Sequence, residues 1–146
     1  MYRLTTNQVW CIGLLLALYG TSAAASEPTT IRWHVDVRQA WQKTLADDQP
    51  MLLLFTMDKC SYCTKMKRST YTDDRIVALI ERSYVPVVID GFQWKELTRR
   101  LGIRIYPTTV ILSPENRVID QISGFVNARQ LHHRLALAGD RAQTRR

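Results

Sequence analysis

Cysteine is scarce in this chain: three residues in 146, at positions 11, 60 and 63. A small domain held together by disulfides carries roughly four to eight cysteines spread along its length, so that class is excluded. Glycine and proline are sparse too, at six and five residues, and no Gly/Ser linker, low-complexity segment or internal repeat breaks the sequence. One domain is the expectation for this length. The three histidines, His34, His132 and His133, come with no second C-x-x-C, no H-E-x-x-H and no phosphate loop. A closed zinc site would lack donors, since adjacent histidines on one helix point about 100° apart. Metalloprotease and kinase chemistry have no support, and no Ser-His-Asp arrangement is visible.

What is present begins with an export pattern. "MYR" is weakly basic, "VWCIGLLLALY" at 9–19 is an apolar core, and Ala23-Ala24-Ala25 offers an A-x-A site with cleavage before Ser26. Residues 1–25 are therefore expected to be a signal peptide, and Cys11 to leave with it. The alternative is an uncleaved anchor, because adding "GTSAAA" brings the apolar stretch close to the roughly 20 residues a spanning helix needs. Net charge is +7, and about +6 without those residues, Arg3 being the only charge before Glu27. The clusters "KMKR" and "RRLGIR" and the basic C-terminus have no binding motif beside them, so they are expected to form a solvated basic face without nucleic acid.

The remainder alternates helical and strand patterns. Asp36 starts a helix with Val37, Ala40, Trp41, Thr44 and Leu45 on one face. "MLLLFTM" at 51–57 reads as a strand buried on both faces. A helix with Cys63, Met66 and Thr70 aligned follows, then one with Ile76, Leu79 and Ile80, a strand at 84–90, and a helix marked by Trp94, Leu97 and Leu101. "TTVIL", the turn "SPEN" and "RVIDQIS" form a hairpin. Asn127 caps a last helix bearing Ala128, Leu131, Leu135 and Ala138, and Gly139 ends it. Strands separated by helices imply parallel crossovers, with the hairpin adding antiparallel strands at one edge. "IRWHV" is a weak further strand, and Trp33, Trp41 and Trp94 are expected in the core. The fold class is α/β, a central mixed β-sheet with helices on both faces, over residues 26–139, and residues 140–146 form a basic flexible tail.

Cys60 and Cys63 could be a redox couple, half of a metal site or a staple. A bridge over so short a loop removes little entropy from the unfolded chain, which makes it a poor staple. The pair sits where a buried strand meets the first turn of a helix, and open α/β sheets place their sites at such junctions. Unpaired backbone N–H groups and the positive end of the helix dipole there stabilise a thiolate. Cys60 would be the exposed nucleophile and Cys63, on the apolar face, the resolving thiol. Lys59, Ser61 and Tyr62 would tune the pair.

On these residues the chain resembles the thioredoxin-fold family over nearly all of residues 31–138. "CSYC" stands where that family has its redox motif. "IYPTT" at 105–109 resembles its cis-proline segment, which implies that Pro107 faces the cysteines and that the Tyr106 backbone pairs with an extended substrate. "GFVNARQLHHRL" resembles its final turn and helix, with Gly124 at the usual glycine. The patterns around 33–55 and 69–90 are most similar to exported thioredoxin-like domains. The family's tryptophan before the first cysteine is Lys59 here, its "GP" is "SY", and its buried acid is Leu54.

The expectation is an exported thiol–disulfide oxidoreductase acting on protein cysteines through a mixed disulfide. It would be a monomer, would need no metal or other cofactor, and would work with cysteine-containing protein substrates and a redox partner. The periplasm is its expected location, or the outer side of the membrane if the anchor is kept. The competing expectation is a non-catalytic binding module or metal-delivery protein on the same fold.

Overall fold

A strand that is apolar at all but its last position needs protein on both of its faces, and residues 51–56 obtain it. The structure, a computed structural model, describes residues 30–144; the expected signal at 1–25, with Cys11, lies outside them. Four strands pair among the described residues: β1 (Met51–Thr56), β2 (Val85–Asp90), β3 (Thr108–Leu112) and β4 (Val118–Ser123). Their order is β2-β1-β3-β4, and every residue of β1 is buried. Alternation sorts its side chains. Leu52 and Leu54 join one apolar cluster with Met66, Ile80, Ile111 and Leu131, whereas Met51, Leu53 and Phe55 join another with Ala40, Val87 and Val110. Truncating one of these leucines to alanine would cost about 2–5 kcal/mol in lost transfer energy and cavity.

Helices cover both clusters. α1 (Val37–Asp47) and α4 (Lys95–Arg100) lie on the Met51 face, and α2 (Ser61–Ser69), α3 (Asp74–Ser83) and α5 (Ala128–Thr144) on the Leu52 face. Their starts follow from capping side chains. Asp36 Oδ1 accepts from the N–H groups of Arg38 and Gln39, and Asp73 from that of Arg75. Asn127 and Gln130 exchange bonds of 2.9 and 3.1 Å in a reciprocal capping box. α5 is fastened to the sheet by Arg134, which ion-pairs with Asp120 of β4, and to α3 by the Tyr84 hydroxyl, which donates to the Leu135 carbonyl at 2.5 Å. Burial pushes the Tyr84 phenol well above its ordinary range.

The mixed sheet with helices on both faces matches the expected fold class: β1 and β2 are parallel, as a helix-separated pair should be, and the hairpin of β3 and β4 adds antiparallel strands at one edge. β3 starts at the end of the sheet where β2 stops, Thr108 pairing with Phe55 beside the Thr56–Asp90 pair, so the connection through α4 returns to the end it left and β3 runs back. Several details differ. Trp94 is 41% exposed and Leu45 54%, so neither is core, and Trp33 and Trp41 are half-buried. "IRWHV" contributes a single bridge, His34 to Val87. α5 does not end at Gly139: it runs to Thr144 and buries Ala142, so residues 140–144 are helix instead of tail.

Gly139 thus lies inside a helix, where a Cβ would sit 3.5 Å from the Tyr84 hydroxyl, an ordinary contact. Gly139→Ala should raise stability by about 0.5–1 kcal/mol, because glycine loses more backbone entropy than alanine on entering a helix. A urea unfolding midpoint that falls instead would show that the helix stops at this residue.

Candidate active site

The strand β1 delivers its last buried residue, Thr56, and the chain then reverses through 57–59 into α2. Lys59 makes that reversal with φ +54°, a left-handed conformation that costs a non-glycine residue about 1–2 kcal/mol. Cys60 follows as the N-cap of α2 in extended conformation. Its Sγ accepts a hydrogen bond from the Cys63 N–H at 3.1 Å, the part an oxygen plays at most helix starts. Cys60 and Cys63 are joined as a disulfide with their Cα atoms 5.2 Å apart. Cys60 is half-buried, whereas Cys63 is 4% exposed and faces inward with Met66 and Thr70.

Three further segments reach the same end of the sheet. Thr56 pairs with Asp90, and its carbonyl accepts from the Gly91 N–H, which brings the loop after β2 alongside. Phe55 pairs with Thr108, so Pro107 precedes β3 at that level. The Pro107 carbonyl accepts from the Gly124 N–H, which draws in the turn after β4. The Tyr106–Pro107 peptide is cis. Pro107 is buried, and the half-buried Tyr106 ring lies on Gly91, where a Cβ would come within 2.2 Å of its hydroxyl. Only glycine leaves room for that ring.

Tyr62 and Ser61 are exposed on the first turn of α2, beside the exposed Lys59. One neighbour was not anticipated from sequence: Phe125, whose ring lies 6.4 Å from that of Tyr62 and 4.8 Å from Lys65 Nζ, a cation–π distance. Gly124 marked the turn, but no local pattern says which helix the next side chain meets. Thr70 donates to the Val126 carbonyl at 2.7 Å and fixes the same turn against α2.

Leu54 is buried in the apolar cluster below and pairs in register with Thr109. Thr109 Oγ1 and the Tyr71 hydroxyl bond each other at 2.7 Å, and burial pushes the Tyr71 phenol far above its usual range, so it stays protonated. The histidines do not gather: His34 lies beside β2, and His132 and His133 are exposed on α5. Among the described residues no three His, Cys, Asp or Glu side chains come together to hold a metal ion.

Residues 37–139 match the sequence model of a thioredoxin-like domain. No curated protein matches the chain in sequence. In structure it is similar to a thioredoxin from Thermus thermophilus, with a TM-score of 0.71 at 20% identity over 77% of this chain and 90% of that one. It is also similar to the oxidoreductase DsbH, with a TM-score of 0.66 at 17% identity over 82% of this chain and 94% of the other. The C-terminal domain of Neisseria meningitidis DsbD in its reduced form gives 0.58 at 19% identity, over 68% and 90% of the two chains.

The left-handed Lys59 has a measurable consequence. Lys59→Val should lower the urea midpoint of the oxidised protein by an amount equivalent to about 1–2 kcal/mol, because branching at Cβ aggravates the clash at positive φ. Lys59→Gly should not lower it. A tolerated valine would mean that the turn into Cys60 is not left-handed.

Proposed function

The chain belongs to the thioredoxin-like domain family, and from that premise we propose that its thiol–disulfide oxidoreductase chemistry acts on cysteines of other proteins outside the cytoplasm. One observation carries this. The more exposed sulfur of a disulfide, Cys60 Sγ, caps a helix and receives the Cys63 N–H, while its partner is buried one turn on. A sulfur so placed is open to attack, and negative charge on it is stabilised by the backbone donor and the positive end of α2.

The exchange runs in two balanced steps. A substrate thiolate attacks Cys60 Sγ, a substrate–Cys60 bond forms, and the Cys60–Cys63 bond breaks with Cys63 leaving as a thiolate that takes up a proton. The substrate's second thiolate then attacks the substrate sulfur of that mixed disulfide and expels Cys60. Two electrons pass from substrate dithiol to the protein, and the substrate leaves as a disulfide. Run in reverse, Cys60 is the nucleophile on a substrate disulfide and Cys63 the resolving thiol. Pro107 and the Tyr106 backbone, at the start of the adjoining strand, would bound the groove in which an extended substrate lies.

Export is supported by the leader pattern at 1–25, and an oxidising compartment such as the periplasm suits a chain whose only cysteines beyond that leader are the redox pair. The likeness to DsbH, named an oxidoreductase, and to a DsbD domain solved in both reduced and oxidised forms agrees with this assignment. No helix of the described residues is long and apolar enough to cross a membrane.

Cys60→Ser should abolish reduction of a model protein disulfide. Cys63→Ser should accumulate partners covalently attached through Cys60, visible as bands that collapse on adding reductant. Disulfide reduction at the native rate in both variants would refute the mechanism and favour a binding module.

A further inference from the structure

Among the described residues every exposed aromatic of the larger apolar side chains lies at one end of the molecule. Tyr62 is 60% exposed, Phe92 61% and Trp94 41%, on α2 and on the loop that leaves β2, and Ile105, 56% exposed, precedes Pro107. The other exposed large apolar residues, Val35, Leu45, Val118 and Leu137, are aliphatic and scattered. Aromatic side chains held in water around a reacting atom are the composition of a contact surface.

The charge at this end is mainly positive, with Asp58, Asp90 and the paired Glu96 as its carboxylates. Lys59 adjoins Cys60, Lys65 lies over the Phe125 ring, Lys95 opens α4, and Arg104 stands three residues before Pro107. All four are exposed, and the ion pairs of the described residues involve other cations. Of the carboxylates on the same loops, Asp90 is engaged by the Phe92 and Gln93 N–H groups at 2.8 and 3.2 Å, which leaves Asp58. The opposite end of the sheet is balanced: Lys43 pairs with Asp47, and Arg117 with Glu115.

Resting on the oxidoreductase assignment above, we propose that this face selects an extended segment of a partner protein in which the reacting cysteine is flanked by carboxylates and a large apolar residue. The carboxylates would meet Lys59, Lys95 and Arg104 around the disulfide, and the apolar side chain would lie against Trp94, Ile105 or Tyr62. An excess of cations at this end of the sheet would draw an acidic segment in, so that it gains in encounter rate as well as in binding.

The test compares two synthetic dithiol peptides identical except for the residues flanking the cysteines, acidic in one and lysine in the other, each with one leucine. Each peptide's rate of reducing the oxidised full chain is divided by its rate with the neutral disulfide of 2-hydroxyethanethiol, which removes differences in intrinsic thiol reactivity. At low salt the acidic peptide should be favoured by at least about tenfold in this ratio. The preference should shrink toward unity as salt rises to about 1 M, where the Debye length is near 3 Å. Lys95→Glu combined with Arg104→Glu, both exposed, should narrow it. Equal ratios for the two peptides, or a preference unmoved by salt and by the double substitution, would overturn the proposal while leaving the oxidoreductase intact. A protein disulfide no faster than the small neutral one with either peptide would instead overturn the oxidoreductase assignment.

Discussion

The helix α2 starts on a sulfur, and the rest of the site is arranged around that fact. A helix leaves its first N–H groups without partners inside the helix, and here one of them points at Cys60 Sγ. The acceptor role asks only for a lone pair, so the sulfur can fill it as a disulfide, a mixed disulfide or a thiolate. It is filled best by the thiolate, since a hydrogen bond to an ionised acceptor is about twice as strong as a neutral one. The helix end is satisfied in every state of an exchange cycle, and the charged state gains most.

Holding the sulfur there places demands upstream and alongside. β1 must end in a buried residue, and the chain must turn sharply enough that Lys59 adopts the left-handed region. Backbone strain of this kind persists only where its surroundings over-determine it. They do so here: Gly91 and Gly124 bond the carbonyls of Thr56 and Pro107, the Tyr106 ring fills the space above Gly91, and Thr70 ties the last turn to α2. Each contact joins a different strand end to the same small region, so the cost at one residue is spread over a rigid frame.

The parts legible in the sequence are those whose signals are local. An unbroken apolar run fixes β1 as a central strand, and apolar residues three and four positions apart give α3 and the inner face of α5. The C-x-x-C after that run marks the site without reference to anything distant. What the sequence conceals depends on contacts between remote residues. Gly139 has the look of a stop signal, but the helix runs through it, past Tyr84, 55 positions earlier, and on to a buried Ala142. Trp94 has the spacing of a core residue, but it precedes α4 as its N-cap and stands 41% exposed. Phe125 meets Lys65 across 60 positions of chain. No window of sequence contains both members of any such pair.

The substitutions around the pair also decide where its electrostatics come from. Beneath the buried sulfur, Leu54 and Met66 are apolar, and the Tyr71 and Thr109 hydroxyls are satisfied by each other, with Tyr71 held neutral. The buried polar residues at this end of the sheet, Thr56, Thr70, Thr108 and Thr109, are all uncharged. The packing beneath the pair therefore supplies no fixed charge to oppose or assist a thiolate. What remains is the backbone donor of Cys63 and the cations outside, Lys59, Lys65, Lys95 and Arg104, which lie in water where ions can screen them. The groups proposed to meet a partner include Lys59, which adjoins the residue of the reacting sulfur. A docked acidic segment would neutralise that lysine as it arrives, so that binding and thiolate stability are coupled through the same side chain.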